Sequence, residues 1–368
     1  MKKLCLLLIF IIILFANSID VALAEDNVQD SLEESVDKYT DMIDFSDFEE
    51  YVNSLDEEGD EIFQAGFKNF VEQIVKGNFQ VGFNDFFKMI IKAITKNIVS
   101  LLPVLASIIA IGILCSIASN LSSGFIKKST MEIIYFVCYA MIIILVVTTL
   151  TSISTMASKT VSNLNLIIEI IFPVMLTLIT ALGGTVTVVV YQGSLAVMSS
   201  LITLLLSKII IPAFLAVIVF SVVGNMSSNV KLDKLANTIK SGAEWLMGIS
   251  FGLYMIVLAF QGVGGAAVDG ISVKAMKFMM SSYVPILGGY LSEGFDVIMA
   301  SCVLIKNAVG ITGIIMIICT ILFPVIKIVL LTLGLKLTAS ILEPIADKRI
   351  SDFLFLVSKT GATTKILG

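Results

Sequence analysis

Repeated apolar stretches about 20 residues long constrain this chain more than any other feature of its sequence. A helix needs about 20 apolar residues to cross the hydrocarbon core of a bilayer. Eight stretches reach this length: 98–119, 131–153, 164–182, 186–206, 208–226, 244–263, 297–318 and 320–342. Of the 368 residues, 57% are hydrophobic and 14% are charged, whereas a soluble domain is about 25% charged. The sequence therefore predicts an all-α polytopic membrane protein with about eight transmembrane helices.

A ninth stretch, 278–295, is weaker because it contains Pro285, Gly288 and Glu293, with Asp296 directly after it. Irregular backbone at membrane depth is tolerated only where protein or water shields it. The segment is expected either to cross or to re-enter the bilayer. Crossing is favoured by the positive-inside rule. If the N-terminus is outside and 278–295 crosses, nine basic residues lie inside and four lie in outside loops.

The N-terminus has the three parts of a secretory signal peptide. Lys2 and Lys3 precede an apolar stretch, and Ala22 and Ala24 form a small-x-small cleavage site. We expect residues 1–24 to be removed, which leaves the new N-terminus outside the cytoplasm. The alternative is an uncleaved N-terminal anchor.

The segment 25–97 is expected to be extracytoplasmic. Residues 25–61 contain 16 acidic residues and one basic residue, which predicts a solvated, partly ordered α-helical segment. It acts either as a solubilising spacer or as a docking surface for a basic partner. In 83–98, apolar residues at helical spacing with lysines on another face predict an interfacial helix that leads into the first span. Residues 343–368 are expected to form a polar C-terminal tail.

The composition excludes several kinds of chemistry. Without histidine, the chain has no His-based acid–base pair and no His-ligated metal. The cysteines at 115, 138, 302 and 319 lie in apolar stretches, and no CxxC pair exists. No phosphate-binding glycine loop of the Walker type is present. We therefore expect no enzymatic activity, no cofactor and no metal, and the absence of a strongly basic tract indicates no nucleic-acid partner.

Ionisable residues within spans are the first functional candidates, because each costs about 2.5–3.5 kcal/mol at the centre of a membrane helix. Glu169 precedes Pro173 by about one turn, although it also lies near the start of its span. Lys306, followed by Asn307, lies ten residues into 297–318. Lys306 is expected to face a polar cavity or to pair with an acid.

Glycines and prolines are the second group of candidates. Gly248 and Gly252 have the small-xxx-small spacing that favours close helix packing. Pro173 and Pro212 are 39 residues apart, as are Pro285 and Pro324, which suggests either a parallel internal repeat or a chance spacing. A repeat would leave the C-terminus one helix short.

One region resembles a known family, the stage III sporulation protein AE family. The residues that carry the resemblance are Gln261-Gly262, Ala266-Ala267-Val268-Asp269-Gly270-Ile271, Lys274, Lys277, Pro285-Ile286-Leu287-Gly288, Ser301, Leu304, Lys306-Asn307, Val309-Gly310-Ile311, Pro324, Leu342 and Pro344. The signal peptide, acidic segment and multi-span body are similar too. Members typically end with a further hydrophobic span, whereas this sequence stops at Gly368, so the resemblance leaves open whether the gene is truncated or frameshifted.

The resemblance implies a subunit of the channel complex, or feeding tube, of endospore-forming bacteria. This complex lies in the mother-cell membrane around the forespore, supports forespore development and is similar to secretion machines. Implied partners are an ATPase-like subunit, ring-forming subunits and the bilayer, with the N-terminal region in the intermembrane space. The family brings no assigned catalytic residues. We expect the intramembrane polar residues and 261–277 to face a pore or partners. The alternative function is a stand-alone secondary transporter of a small solute.

Overall fold

A computed structural model of the chain describes residues 35–36, 38–53, 66–76, 83–121, 128–226, 232–283 and 288–364. This part contains helices and turns and no β-strand, so the all-α prediction is confirmed. The elements used below are α1 (Ser46–Asn53), α2 (Phe67–Val75), α3 (Phe83–Leu121), α4 (Lys128–Ala181), α5 (Thr185–Leu205), a π-helical turn (Leu206–Ile210), α6 (Ile211–Met226), α7 (Asp233–Tyr283), α8 (Gly288–Leu342) and α9 (Lys348–Thr364). The predicted signal peptide and its cleavage residues, Ala22 and Ala24, lie outside the described residues.

Four helices in the described part are long and apolar enough to cross a membrane. They are Phe87–Ala118, Glu132–Ala181, Thr185–Phe220 and Gly294–Leu342. The predicted count of about eight is not confirmed, because the structure joins predicted neighbours into continuous helices. The joined pairs are 131–153 with 164–182 in α4, 186–206 with 208–226 through the π-helical turn, and 297–318 with 320–342 in α8.

The continuity of α4 has a local cause. The interval 154–163, expected to be a loop around Lys159, contains neither glycine nor proline. Its hydroxyl side chains bond to the helix itself, as where Oγ1 of Thr160 donates to the carbonyl of Met156 at 2.9 Å. These bonds satisfy polar side chains without ending the helix.

Pro212, expected to break a helix, directly follows the π-helical turn Leu206–Ile210. Proline has no N–H to donate and its ring crowds the carbonyl four residues earlier, here that of Lys208. The wider turn accommodates this misfit, so the chain continues into α6 without a loop.

The two remaining predicted spans lie around α7. The stretch 244–263 is part of α7, which is not among the four membrane-capable helices. The weak stretch 278–295 is divided between the end of α7 at Tyr283 and the start of α8 at Gly288. Pro285 lies between them, outside the described residues.

The chain divides into two compact units. The first comprises Met1–Val81, Ile170–Val189 and Gly264–Ile314, and the second comprises Gly82–Glu169, Val190–Val263 and Ile315–Gly368.

Within the first unit, α1 and α2 pack through aromatic rings. Phe48 stacks on Phe67 with 4.0 Å between ring centroids, and both side chains are almost fully buried. Gly66 begins α2 with a φ of 86°, a left-handed conformation that favours glycine. The backbone N–H of Lys68 donates to Oε1 of Glu49 at 3.2 Å. Part of the acidic segment is therefore an ordered helical pair.

Asp44 stabilises the start of α1. The hydroxyl and the backbone N–H of Ser46 both donate to its carboxylate, the latter at 2.9 Å, and these bonds lower the pKa of Asp44. Because the pKa of Asp44 is lowered in the folded state, its two hydrogen bonds stabilise the fold at neutral pH. This stabilisation is lost as the pH falls through the lowered pKa.

The second unit has a core that includes a helix not expected from the sequence. Residues 343–368 were predicted to be a polar tail, but they contain α9, whose buried residues are Ile350, Phe353, Leu354 and Val357. Phe353 meets Tyr139 of α4 edge-on at 5.7 Å between centroids. The guanidinium of Arg349 lies 4.9 Å from the ring centroid of Tyr135. The apolar face of α9 is thus part of the core, and Lys348, Arg349 and Asp352 are exposed.

Two glycines allow α3 and α8 to approach closely in this unit. A Cβ atom on Gly112 would lie 2.7 Å from a methyl carbon of Leu342, and one on Gly334 would lie 2.5 Å from a methyl carbon of Leu105. Such distances are shorter than van der Waals contact, so a larger residue at either position would separate the helices. Small residues at helix contacts are typical of membrane proteins.

The packing of α9 yields a prediction. Phe353→Ala should lower the free energy of unfolding by about 3 kcal/mol, because Phe353 is 0% exposed and its removal leaves a cavity. The matched control is Phe355→Ala, since Phe355 is 50% exposed on the same helix. Thermal unfolding of the purified protein in detergent measures both. Equal effects of the two variants would contradict the docking of α9.

Candidate functional site

Four polar side chains form a cluster between α4 and α5: Asn165, Glu169, Ser199 and Thr203. Nδ2 of Asn165 donates to Oε1 of Glu169 at 2.6 Å. The hydroxyls of Ser199 and Thr203 donate to Oδ1 of Asn165 at 2.6 and 3.1 Å. Asn165 therefore bonds along its own helix with its amide nitrogen and across to the next helix with its amide oxygen. We refer to these residues as the Asn165 cluster.

The sequence positions these residues through helical spacing and a tight turn. Asn165 and Glu169 are four residues apart on α4, and Ser199 and Thr203 are four apart on α5, so each pair shares a helix face. Gly183, with a φ of 80°, lies in the turn between the helices. Gly183 is 18 residues after Asn165 and 16 before Ser199. Because these distances are similar, the polar pair on α4 and the polar pair on α5 lie at the same level in the two antiparallel helices.

An apolar cavity of about 270 Å³ lies in the same unit. Its walls come from α4, from the π-helical turn with the start of α6, and from α8 around Pro324. Ser154 and Thr160 are the hydroxyl residues that line it, and the other lining residues are apolar. The cavity lies where the π-helical turn and Pro324 interrupt regular helix geometry.

The cavity and the Asn165 cluster are adjacent along both helices. Val161 and Leu164 line the cavity on α4, and Asn165 follows one turn after Val161. Leu206 lines it on the α5 side, one turn after Thr203. An apolar space thus borders a hydrogen-bonding group, the combination typical of small-molecule sites.

The two charged candidates have no ionic partner in the described part of the chain. Glu169 is exposed, and its only bond there is with Asn165. Lys306 is half-buried on α8 and makes no hydrogen bond or ion pair with another described residue, while Asn307 beside it is exposed. Their expected pore-facing or partner-facing roles remain predictions.

The candidates of 261–277 lie on α7. Lys274 is exposed. The backbone at Gln261, Asp269 and Lys277 is helical, and their side chains are outside the described part.

The glycine and proline candidates have different surroundings. Added Cβ atoms on Gly248 and Gly252 would meet no other described atom within 4 Å, so these two glycines do not mark a helix contact within the described chain. One on Gly310 would lie 3.9 Å from Cε of Met175, an ordinary contact. Pro173 lies inside α4 and Pro324 inside α8, neither of which ends there. Gly288 is the first residue of α8.

No three acidic or cysteine side chains among the described residues come together in a way that could hold a metal ion. What the Asn165 cluster can do chemically is accept and donate hydrogen bonds and present one carboxylate.

Sequence reasoning identified Glu169 but missed Asn165, Ser199 and Thr203. The sequence did contain a signal for these residues. Each of two apolar stretches carries a pair of polar residues four positions apart, and the two pairs lie at similar distances on either side of Gly183-Gly184. Serine and threonine are common in membrane helices, where they usually bond to their own helix, so they did not stand out individually.

The long apolar helices and the partly exposed polar cluster are typical of an α-helical membrane protein. The model of the stage III sporulation protein AE family matches residues 65–365, and the chain belongs to this family. The resemblance seen in the sequence is therefore confirmed.

A relative in Bacillus subtilis (strain 168) is named stage III sporulation protein AE. It is 27% identical over 256 residues, which are 70% of this chain and 64% of the relative. The matched part is therefore less than two thirds of that protein's length. No solved structure matches the chain.

The Asn165 cluster yields a prediction about helix association. A double-mutant cycle of Asn165→Leu and Ser199→Ala should give a coupling energy of about 0.6 kcal/mol, the typical value for interhelical hydrogen bonds in membranes. The control pair is Asn165→Leu with Thr148→Val, because the Thr148 hydroxyl donates to carbonyls of its own helix. Unfolding in mixed detergent measures both cycles. Zero coupling for Asn165 and Ser199 would contradict the bond.

Proposed function

We propose that the chain is an integral membrane subunit of a channel or export-like complex between mother cell and forespore, in which it acts as conduit, gate or assembly core. Its partners would be the bilayer, an ATPase-like subunit and ring-forming subunits of the stage III complex. The proposal assigns no chemical reaction to the chain. Membership of the family and its role in sporulation support it.

One observation carries the assembly role: the apolar helices are longer than a bilayer is thick. The membrane-capable helices Glu132–Ala181 and Gly294–Leu342 are 50 and 49 residues long. At about 1.5 Å per residue each extends about 75 Å, whereas the hydrocarbon core is about 30 Å thick.

Little of this apolar surface is covered by the chain itself. In the most apolar part of each of the four helices, 17–22% of the residues are buried. Lipid covers the rest only within the bilayer thickness. Apolar surface beyond it requires protein to cover it, which favours a subunit of an assembly over a chain that works alone.

The proposed location is the membrane of the mother cell around the forespore, with the N-terminal region in the intermembrane space. The paired helices α1 and α2 support this, because their outer surface is acidic and suited to water. A basic surface on a neighbouring subunit would complement it.

The alternative is a secondary transporter of a small solute. The cavity beside the Asn165 cluster favours this reading, because transporter sites combine apolar walls with a few polar groups. Purified chain in liposomes discriminates the two: uptake of a solute without other subunits would support the transporter, and uptake that requires them would support the complex.

The proposal predicts a sporulation defect from a change at Lys306. In an endospore-forming host that carries the gene, Lys306→Leu should reduce late forespore gene expression and recovery of the complex, because the variant loses a half-buried charge without a partner in the described chain. Lys306→Arg keeps the charge and should restore both.

A deletion strain complemented by the unmodified gene sets the scale for this experiment. Reporter expression from a late forespore promoter, together with affinity purification of the chain, gives the two readouts. Unchanged values for Lys306→Leu would remove Lys306 from the mechanism. Normal late forespore expression in the deletion strain would contradict the proposed function itself.

A further inference from the structure

We infer that the cavity and the Asn165 cluster together bind an amphiphile that carries an ammonium group, with a hydrocarbon chain in the cavity and the ammonium at Glu169. This inference goes beyond the role in a sporulation complex and does not depend on it. It requires only that the walls of the cavity lie in a membrane.

The walls of the cavity favour a hydrocarbon chain as its content. Water in a cavity needs two to four polar partners, and the polar groups lining this one are the hydroxyls of Ser154 and Thr160. The Thr160 hydroxyl already donates to the carbonyl of Met156. The volume of about 270 Å³ is near the lower end of the range for ligand pockets. Since membrane-capable helices supply the walls, lipid is the apolar material at hand.

The Asn165 cluster determines the charge of the headgroup. Oδ1 of Asn165 accepts two hydroxyl donors and Nδ2 donates one of its two N–H groups to Oε1 of Glu169, so the acceptor sites of the amide are filled. Glu169 retains acceptor capacity on its carboxylate and has no cation partner in the described chain. An exposed carboxylate on a membrane-capable helix attracts a cation and repels an anion. A primary ammonium supplies both the positive charge and the N–H donors.

The distances along α4 suit one molecule. Glu169 lies five residues beyond Leu164, the last cavity-lining residue on this helix, which is about 7.5 Å of helix rise. This is the scale of a lipid headgroup with its linker. Asn165, between them, orients the Glu169 carboxylate, and Ser199 and Thr203 hold Asn165 in place.

The test uses the full chain in nanodiscs with a phosphatidylethanolamine that has a photoreactive diazirine in its acyl chain. After irradiation, mass spectrometry should locate the label on the cavity segments 150–164, 206–218 and 321–328. Unlabelled phosphatidylethanolamine should compete about tenfold better than phosphatidylglycerol, because a charge-assisted hydrogen bond is involved. Free ethanolamine, which has no chain, should not compete.

Two variants with matched controls test the binding of the lipid hydrocarbon chain and of the lipid headgroup separately. Ala157→Trp fills the cavity and should abolish labelling, whereas Ala110→Trp, at an exposed alanine of α3, should not change it. Glu169→Gln should lower the advantage of phosphatidylethanolamine about tenfold, whereas Glu132→Gln, at the other end of α4, should leave it unchanged. Circular dichroism checks that each variant remains helical.

Three results would overturn the inference. The first is label spread evenly over the lipid-facing helices of the unmodified chain, which requires no variant. The second is equal competition by phosphatidylethanolamine and phosphatidylglycerol. The third is labelling of the cavity segments that persists in a helical Ala157→Trp variant.

Discussion

The structure depends on one constraint: in hydrocarbon, every backbone N–H and C=O group must find its partner within the protein. Helices form the hydrogen bonds of the backbone N–H and C=O groups internally. Most hydroxyl side chains likewise donate a hydrogen bond to a carbonyl one turn earlier on their own helix. Ser107, Thr148 and Thr332 all bond in this way. The Asn165 cluster is different because its hydroxyls bond to another helix. It therefore specifies which helices pair and at what level, whereas the apolar contacts around it do not.

Close packing in the second unit supplies the other determinant of the fold. Gly112 and Gly334 let α3 and α8 approach until the side chains of Leu342 and Leu105 fill the space that a Cβ atom would need. Lipid tails are as apolar as leucine, so these contacts stabilise through shape and not through release of water. Helix α9 extends the same core with an amphipathic face that buries Phe353 and leaves Asp352 in solvent. The cavity remains where the π-helical turn and Pro324 prevent such a fit.

The apolar stretches and the family motifs could be predicted from the sequence. Membrane helices need long runs of apolar residues, and such runs are visible in a short window of sequence. The continuity of α4 could not, since 154–163 contains a lysine and several hydroxyl residues that are equally compatible with a loop and a helix. Helix α9 was missed because charged and hydroxyl residues make up about half of its sequence, while its apolar residues form a continuous face only at helical spacing. Glu169 was recognised as unusual, but its partner Asn165 is held by Ser199, which lies 34 residues further along the chain. Single-sequence reading does not detect such contacts.

The unbroken course of α4 is the central claim, because it places the Asn165 cluster and the cavity on one helix that is long and apolar enough to cross the membrane. Labelling of Ser129→Cys and Thr185→Cys with a membrane-impermeant maleimide, in intact cells and in inverted vesicles, tests it directly. The unmodified chain serves as the blank, since Cys115, Cys138, Cys302 and Cys319 are buried. A single crossing by α4 predicts that the two positions react from opposite sides. Reaction of both positions from the same side would mean that 131–153 and 164–182 cross separately, and would contradict the continuous helix.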